Sequence, residues 1–433
     1  MKPHLAVSTE PSGQGALRAV FSPTQTSASA SASRTSFASL APSPHGLTSA
    51  LPSAPVSAAG RTSTLSPPAS ATASTFSVPS REPRSPRASA FSKSIKPLAV
   101  FVDASVDPRT RFTDLVEIAQ GESGSVFSAR VVGTTEPFAP PTAPSSPASP
   151  LATPSTSAQT RPVALKIVPA ASNTTKLASL RRELDLVRGI RHPNVLRFEA
   201  VFVDVPGEAI WLGMELMERS LADVLALRDA EGLEDTERRS VRVGERLIAR
   251  FVWDVLLALS YLRKQHIAHR DLRSDNLLLN RDGVLKLADF GSAVRHPPGT
   301  QKLSENVGVL YWQAPEIRTG LYDPLKVDVW SLGATTWELA AGVPPFADVE
   351  DPRALESAYK LPPLPEDEGE VPMSRAFHDF LHLCAQPVGS RAEVDELLNA
   401  HFVRTACPRS TVVHLLATCK TIENKVLGRE SDE

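Results

Sequence analysis

Cysteine and long apolar runs are the two features that this 433-residue sequence has least of. The three cysteines, Cys384, Cys407 and Cys419, are too few and too clustered for a disulfide framework, which favours a reducing, intracellular setting. No run of about 18 apolar residues occurs, so no membrane span is expected. The N-terminus also lacks the apolar core of a secretory signal, and the cytoplasm is therefore the default location.

Large apolar side chains are scarce in residues 1–105, which are rich in Ser, Ala, Pro and Thr. This stretch carries nine Lys/Arg against three Asp/Glu, a net charge of +6, which leaves −8 for the remainder of a chain whose total is −2. Burial of so little apolar surface would not offset the conformational entropy lost on folding, so residues 1–106 are predicted to be a disordered tail. An organellar transit peptide is the alternative, but the prolines and the missing amphipathic stripe argue against it.

Four Ser-Pro pairs occur in the tail, and they begin at Ser22, Ser43, Ser66 and Ser85. They fit proline-directed phosphorylation, but such pairs are also frequent in any tract rich in both residues. The arginines of the segment REPRSPRAS, around the last pair, would pair with an added phosphate or an acidic partner. Both interpretations stay open.

Regular apolar patterns begin near residue 107. Residues 112–132 have the pattern of two strands around a glycine-containing turn, where backbone amides can approach phosphates without a Cβ clash. A low-complexity stretch, 133–161, then precedes the apolar run 163–168, which predicts a buried strand with a single lysine, Lys166. We interpret 133–161 as a loop inserted between two strands of one sheet, since a linker between domains would leave the first two strands alone.

Helical and strand patterns alternate through the rest of the chain. The first helix after Lys166 carries Glu183 beside its apolar face, and the last has one apolar stripe, which predicts packing on the domain rather than a coiled coil. Helices are predicted over residues 177–190, 220–230, 246–265, 328–341 and 411–427, and strands over 195–203 and 210–215.

Residues 269–291 carry the strongest chemical signal and read HRDLRSDNLLLNRDGVLKLADFG. Transfer of a phosphoryl group to a hydroxyl needs a carboxylate beside the acceptor and metal-ligating side chains beside the phosphates. Asp271, Asn276 and Asp289 have the residue types and spacing for those roles. The Asp-Gly turn signal at 282–283, between two apolar runs, predicts a hairpin that brings Asn276 close to Asp289.

With these pieces in place, residues 107–405, without the insert 133–161, resemble the eukaryotic protein kinase family. The resemblance is specific because the motifs occur in the family's order: a glycine loop, Val163-Ala164-Leu165-Lys166, Glu183, His269-Arg270-Asp271, Asp289-Phe290-Gly291, Ala314-Pro315-Glu316 and Asp328-Val329-Trp330-Ser331-Leu332-Gly333. Within the family the chain looks most like PAK-type serine/threonine kinases of the STE group. The resemblance implies an α+β, two-lobed fold, a small β-rich N-lobe and a large helical C-lobe, and residues 406–433 are expected to form a C-terminal helical extension.

The resemblance also implies a reaction, the transfer of the ATP γ-phosphoryl group to serine or threonine with Mg²⁺. Lys166 would hold the α- and β-phosphates and pair with Glu183, because a buried lysine needs an opposite charge. Asp271 would orient the substrate hydroxyl and accept its proton. Asn276 and Asp289 would ligate Mg²⁺.

The nucleotide would be enclosed by residues of both lobes. Adenine would lie between Val126 and Ala164 on one side and Leu278 on the other, and its edge would bond the backbone at Glu215 and Met217. The resemblance also places at the nucleotide Met214 behind adenine and, from the glycine loop, Ile118, Gly121, Glu122, Ser123 and Gly124.

The resemblance also implies residues that would hold the loops and lobes around the site in place. Arg270 would meet a negative charge on the activation loop, which lies within residues 292–309. Asp328 would brace the catalytic loop, the segment that begins with His269-Arg270-Asp271. Glu316 would pair with Arg391. An apolar column through both lobes would contain Val187, Phe198, His269 and Phe290.

Four positions depart from the family's pattern. Ala119 adds a methyl group where the family usually has glycine, and Arg273 replaces the lysine typical of serine/threonine kinases. Val309 stands where a threonine usually bonds the catalytic aspartate, and valine cannot donate. Glu305 stands where PAK-type kinases carry the activating threonine, so it would pair with Arg270 without phosphorylation.

Two alternatives follow from these departures: a pseudokinase scaffold that binds ATP or partners without efficient catalysis, and a tyrosine-directed kinase. Protein substrates and ATP are the expected partners, and nucleic acid is not among them. The GTPase-binding motif of PAK-type kinases is not visible in residues 1–105.

Overall fold

A computed structural model of the chain describes residues 86–103, 106–121, 124–132, 162–169, 174–228, 230, 233–349, 360–365 and 372–430. Outside these residues lie the four Ser-Pro serines, most of the predicted tail, the insert 133–161, and Glu122 and Ser123 of the glycine loop.

The first described residues form a short segment that packs onto the protein. Helix α1 spans Pro86–Ser94, a 3₁₀ helix spans Lys96–Leu98, and helix α2 spans Pro108–Arg111. Phe91 and Leu98 are each 1% exposed and belong to the core of the N-terminal part. Folded structure therefore begins before residue 107, where composition placed the boundary, because a few apolar side chains anchor a segment that is otherwise polar.

Five antiparallel strands form one sheet in the order β1-β2-β3-β5-β4. Strand β2 pairs directly with β3, so residues 133–161 connect two neighbouring strands of one sheet. The strands are β1, Phe112–Gly121; β2, Gly124–Val131; β3, Pro162–Pro169; β4, Phe198–Asp204; and β5, Ala209–Glu215.

Helix α3, Thr174–Val187, packs on this sheet. Its residues Leu177, Leu180 and Leu184 are buried in one cluster with Ile210 and Leu212 of β5. Their spacing of three and four residues puts them on one helical face, as the sequence pattern predicted.

The remainder of the chain is mostly helical and carries short strands. Strands β6, β8 and β9 form a three-stranded sheet, and β7 pairs with β10. The helices are α4, Leu221–Arg228; α5, Asp235–Ser240; α6, Glu245–Lys264; α7, Pro315–Thr319; α8, Pro324–Ala341; α9, Arg375–Cys384; α10, Val394–Leu397; α11, His401–Arg404; and α12, Arg409–Glu430. The strands are β6, Arg219–Ser220; β7, Ile267–Ala268; β8, Leu277–Leu279; β9, Leu285–Leu287; and β10, Val294–Arg295.

Helix α8 is the buried centre of the helical part and begins one turn before the predicted residue 328. The side chain of Asp323 caps it by accepting from the N–H of Leu325 at 2.9 Å, and Pro324 occupies its first turn. Gly342 ends it in a left-handed conformation with φ 81°, which lets its N–H donate to the carbonyl of Glu338 at 2.7 Å.

Helix α12 packs on the helical part through the apolar stripe that predicted this arrangement. Val412, Leu415, Cys419 and Ile422 are buried in the same cluster as α6 and α9. All three cysteines of the chain are buried and free. Among the described residues, no helix has both the length and the apolar character needed to cross a membrane.

The N-terminal sheet with α3 is hereafter the N-lobe, and the helical part from β6 onward is the C-lobe. A sheet-rich first part and a helical second part confirm the α+β, two-lobed prediction.

Candidate active site

The predicted hairpin forms and brings the three polar residues together. Strands β8 and β9 pair with Leu277 opposite Leu287, and the N–H of Ala288 donates to the carbonyl of Asn276 at 2.9 Å. Asn276 therefore lies beside the residue that precedes Asp289. Its Nδ2 donates to the backbone carbonyl of Asp271 at 2.7 Å and to the Oδ2 of Asp271 at 3.2 Å.

The backbone of the catalytic loop has an unusual conformation, and a buried carboxylate stabilises it. Arg270 has φ 65° and Asp289 has φ 61°, both in the left-handed region that a side chain makes unfavourable. The buried carboxylate of Asp328 compensates, since it accepts from the N–H of His269 at 2.8 Å and from the N–H of Arg270 at 2.7 Å. Asp328 has the bracing contacts that the resemblance implied.

Burial sets the electrostatics of the central carboxylate. The pKa of Asp271 is raised, chiefly by burial, and the charge of Asp289 adds to this. The charges of Arg273 and His269 and the hydrogen bond from Asn276 act in the opposite direction. A carboxylate with a raised pKa is a stronger base once it is ionised, which suits the acceptance of a hydroxyl proton.

Arg273 stands where the resemblance leads us to expect a lysine, and it contacts Asp271, the predicted catalytic aspartate. Its Nε lies 3.8 Å from the Oδ1 of Asp271, and its Nη1 donates to the Oδ2 of Asp275 at 2.6 Å. Its guanidinium stands 5.8 Å from the ring centre of Trp312. Val309 itself has no hydroxyl to donate, but the activation loop still approaches the catalytic loop closely, because a Cβ on Gly308 would lie 2.5 Å from the carbonyl oxygen of Arg270.

Arg270 joins the catalytic loop to the activation loop through Glu305. The Nη1 of Arg270 donates to the Oε2 of Glu305 at 2.9 Å and to the hydroxyl of Tyr322 at 3.0 Å. The Nε of Arg270 donates to the carbonyl of Ser292 at 2.7 Å, and the Tyr322 hydroxyl donates to the carbonyl of Glu305 at 2.9 Å. Sequence reasoning identified the two charges but missed Tyr322, for which the sequence offers no signal.

Lys166 and Glu183 do not form the contact ion pair that was expected. Both side chains are within the described residues, yet no ion pair joins them, and the Oε1 of Glu183 is buried there without a hydrogen-bond partner. Burial raises the pKa of Glu183, while the charge of Lys166 and the backbone N–H of Phe290 lower it and the charge of Asp289 raises it. The carboxylate of Glu183 thus lies within electrostatic reach of Lys166 and Asp289 but makes no contact ion pair with Lys166.

The proposed adenine residues fall into two apolar clusters. Ala164 belongs to one with Met214 and Val126 packed against it, and Met217 and Leu278 belong to another. Glu215 lies at the end of β5, and its side chain contacts Lys286 at 2.9 Å and Asn280 at 3.4 Å.

The glycine loop closes strand β1 onto β2. Gly121 pairs with Gly124, and Ala119 pairs with Val126. Gly124 has φ 140°, and a Cβ there would lie 2.2 Å from the carbonyl oxygen of Ile167, so only glycine fits. The side chain of Ile118 is buried.

The supporting contacts behind the site match the expected pairs. Arg391 donates twice to the carboxylate of Glu316, with its Nη2 3.0 Å from Oε2. The rings of His269 and Phe290 meet edge to face with centres 4.9 Å apart. Val187 and Phe290 belong to one buried cluster, and Phe198 packs against that cluster.

A buried carboxyl of α8, Glu338, links the catalytic loop to the end of the activation loop and was missed from the sequence. It accepts from the hydroxyl of Ser274 at 2.5 Å and from the Nε1 of Trp312 at 2.9 Å. Burial, with a smaller contribution from the charge of Asp275, raises the pKa of Glu338 to about 7.

The donor set at the hairpin fits Mg²⁺. Asn276 turns its Nδ2 toward Asp271, which leaves its amide oxygen as a ligand, and the Oδ1 of Asp289 accepts from the N–H of Gly291 at 3.1 Å, which leaves Oδ2. Two protein oxygens suit an ion that keeps several waters and takes phosphate oxygens as further ligands.

Comparison with known proteins agrees with this geometry. The family model described as protein kinase domain matches residues 153–403, more than half of the chain. The chain belongs to the protein kinase family. The match begins inside the insert, so the glycine-loop strands β1 and β2 are recognisable as part of the kinase domain from their pairing with β3 rather than from that match.

Relatives of this kinase are PAK-type serine/threonine kinases. It is 30% identical over 320 residues to serine/threonine-protein kinase pakC of Dictyostelium discoideum, covering 73% of this chain and 58% of the relative. It is 31% identical to serine/threonine-protein kinase PAK 1 of Mus musculus, covering 72% of this chain and 50% of the relative. Serine/threonine-protein kinase ppk11 of Schizosaccharomyces pombe is 30% identical, with 71% of this chain and 86% of the relative covered. The chain thus spans only 58% of pakC and 50% of PAK 1.

Proposed function

We propose that the chain is a protein kinase that transfers the γ-phosphoryl group of ATP to serine or threonine residues of proteins. The observation that carries the proposal is the convergence of Asp271, Asn276 and Asp289 on one hairpin, held by Asp328. In phosphoryl transfer most of the catalysis is positioning and charge stabilisation, and this arrangement supplies both.

Asp271 orients the substrate hydroxyl and accepts its proton as the oxygen attacks phosphorus. Its raised pKa strengthens it as a base, and Asn276 fixes its direction through the 3.2 Å hydrogen bond to Oδ2. Asn276 and Asp289 would hold Mg²⁺, which neutralises the charge on the phosphate oxygens when it is bound. Arg273 places a second positive charge beside Asp271.

ATP occupies the space between the lobes in this proposal. The apolar walls for adenine are formed on one side by Ala164 and Val126 of the N-lobe. On the other side they are formed by Met217 and Leu278. The backbone of Glu215 and Met217 bonds its edge. The phosphates lie against Ile118 and the glycine loop, residues 121–124, with Lys166 on the α- and β-phosphates and Glu183 behind it.

The ion pair between Arg270 and Glu305 supports an activation loop that is ordered without phosphorylation. Arg270 is 5% exposed at its side chain, and a guanidinium so buried needs a negative partner. Glu305 supplies that charge from the loop itself.

The test is transfer of radiolabelled phosphate from ATP to a library of serine-, threonine- and tyrosine-containing peptides. We expect Mg²⁺-dependent labelling of serine and threonine, and an Asp271→Asn variant should be slower by roughly a hundredfold or more. Labelling of tyrosine alone would contradict the residue preference. Absence of transfer above that of Asp271→Asn, with ATP still raising the melting temperature, would contradict catalysis.

The three buried free cysteines support a reducing compartment, and we infer the cytoplasm as the place of action. Protein substrates are the proposed partners.

A further inference from the structure

A short segment ahead of the kinase sheet, residues 91–103, packs against α3, and we call it the N-terminal brace. Phe91 and Leu98 are its two fully buried side chains. Both lie in one cluster with Leu177, Leu180 and Leu184, the buried face of α3. The apolar face of α3 is therefore covered partly by the sheet and partly by the brace.

Polar and ring contacts fix the brace to the same helix. The Nη1 of Arg181, on α3, donates to the carbonyl of Pro97. The ring of Phe101 lies beneath two guanidinium groups, with its centre 6.0 Å from Arg181 and 5.4 Å from Arg188. Arg181 precedes Glu183 in the sequence and Arg188 follows it, so the brace contacts the chain both before and after Glu183.

The far end of the brace is attached to the sheet. Val102 forms a parallel β-bridge with Val201 of β4, and the N–H of Asp103 donates to the carbonyl of Val201 at 2.9 Å. The brace thus connects α3 to β4 by a path independent of the loop between them.

The position of Glu183 depends on how α3 is packed. Within the described residues its Oε1 has no hydrogen-bond partner, so few polar bonds fix the carboxylate. Leu184, the next residue, is buried in the cluster that contains Phe91 and Leu98. That cluster also reaches Ala164 and Met214, which were assigned to the adenine site.

We propose that Phe91 and Leu98 are positioning residues for phosphoryl transfer, because they pack against Leu177, Leu180 and Leu184 and so fix the position of α3, the helix that carries Glu183. The inference rests on the proposed kinase activity. A displacement of α3 by about 1 Å is enough to misplace a reacting group, which can cost on the order of a hundredfold in rate.

The test uses the full chain with Phe91→Ala and Leu98→Ala combined. We expect kcat to fall by about tenfold or more while the protein stays folded, and amide hydrogen exchange of α3 to accelerate. A synthetic peptide of residues 86–103, added in trans in excess, should displace the weakened segment of the double variant from α3 and raise kcat. The same peptide with both alanines should not. Val100→Ala is the matched control, since Val100 is 53% exposed on the same segment.

Wild-type kcat and wild-type α3 exchange in the double variant, with only a lower melting temperature, would overturn the inference. If the double variant does not fold, Phe101→Leu replaces it, because it removes the aromatic face under the two guanidinium groups and keeps most of the apolar volume. A fall in kcat of about two- to fivefold with faster α3 exchange is expected there, and no change in either overturns the inference. If the wild type transfers no phosphate, the proposed function and the positioning role both fail, whereas a transferring wild type with an unaffected double variant overturns the positioning role alone.

Discussion

At the scale of single residues, the site depends on charges whose partners are fixed by the fold. Arg270 is the clearest case, because its side chain is 5% exposed whereas Glu305, its partner, is 64% exposed. The buried guanidinium cannot move into water, but the carboxylate can. A single substitution at Glu305 therefore removes the charged contact between the activation loop and Arg270.

Glu305→Ala is expected to lower kcat/KM by about tenfold, because Arg270 then keeps only the neutral partners Tyr322 and Ser292. Steady-state kinetics on phosphatase-treated protein measures this. Lys302→Ala, exposed on the same loop, is the control and should behave as wild type. The idea fails if Glu305→Ala keeps full activity while phosphatase treatment inactivates the wild type.

Glu338 gives a pH dependence whose direction follows from its pKa. The folded-state pKa of about 7 lies above the ordinary glutamate pKa of 4.5, so the folded protein binds the proton more tightly than the unfolded chain. Its contribution is fully present below about pH 4.5 and is lost as pH rises through about 7, with a slope of at most ~1.4 kcal/mol per pH unit.

Glu338→Gln should flatten that part of the stability profile. The amide matches the neutral acid, since its NH₂ can donate to Ser274 and its oxygen can accept from Trp312. Urea unfolding between pH 5 and pH 8 checks the slope, with Glu117→Gln, an exposed site, as the control. An unchanged slope in Glu338→Gln would show that this carboxyl stays ionised when folded. Asp223, whose pKa burial also raises to about 7, keeps a background of the same sign in both proteins.

At the scale of elements, sequence patterns correctly predicted helices and turns whose formation depends on residues close together in the chain. The helical stripe of α3 and the hairpin around Asn276 and Asp289 appeared where spacing and turn residues placed them. Helix α8 began earlier than its apolar run because the cap at Asp323 and Pro324 extends it.

Contacts between elements distant in sequence carried no local signal. Nothing near Tyr322 marks it as a partner of Arg270, 52 residues away, and nothing near Ser274 marks Glu338, 64 residues away. The brace was assigned to the disordered tail because composition averages over a stretch, whereas docking depends on a few particular side chains such as Phe91 and Leu98. Pairing of Lys166 with Glu183 was inferred from residue types, but the distance between the two groups depends on how α3 sits.

A buried ion pair joins helix α12 to strand β6. Arg219, two residues after Met217, is 4% exposed and donates through both Nη atoms to Glu423 at 2.8 Å. Glu423→Ala leaves the guanidinium buried without its partner and should lower the free energy of unfolding by roughly 3 kcal/mol.

Lys425→Ala is the matched comparison, because Lys425 lies on the same helix as Glu423 and pairs with Glu237 of α5, but its side chain is 41% exposed. That loss should be at most about 1 kcal/mol. Urea denaturation gives both values. Equal losses for the two variants would mean that the Arg219 pair adds nothing beyond a surface contact.

At the scale of the whole molecule, the N-lobe sheet is built around an insertion. The register of β2 and β3 is continuous up to Arg130 opposite Pro162, so the two strands could be joined by an ordinary hairpin turn. Pairing of the strands, and hence the glycine loop, is specified by the residues on the strands themselves. The insert then contributes mainly the entropy of closing a long loop.

Replacing residues 133–161 by a four-residue hairpin turn should therefore leave kcat within about twofold. The shorter closure should raise the free energy of unfolding by about 1.5–2 kcal/mol, since closure entropy grows with the logarithm of loop length. An equally long Gly/Ser segment is the control and should match the wild type in both activity and stability. If the shortened protein and the Gly/Ser protein both lose activity, the particular residues of the insert take part in catalysis or its regulation. If only the shortened protein does, the strands need the longer connection to reach their register.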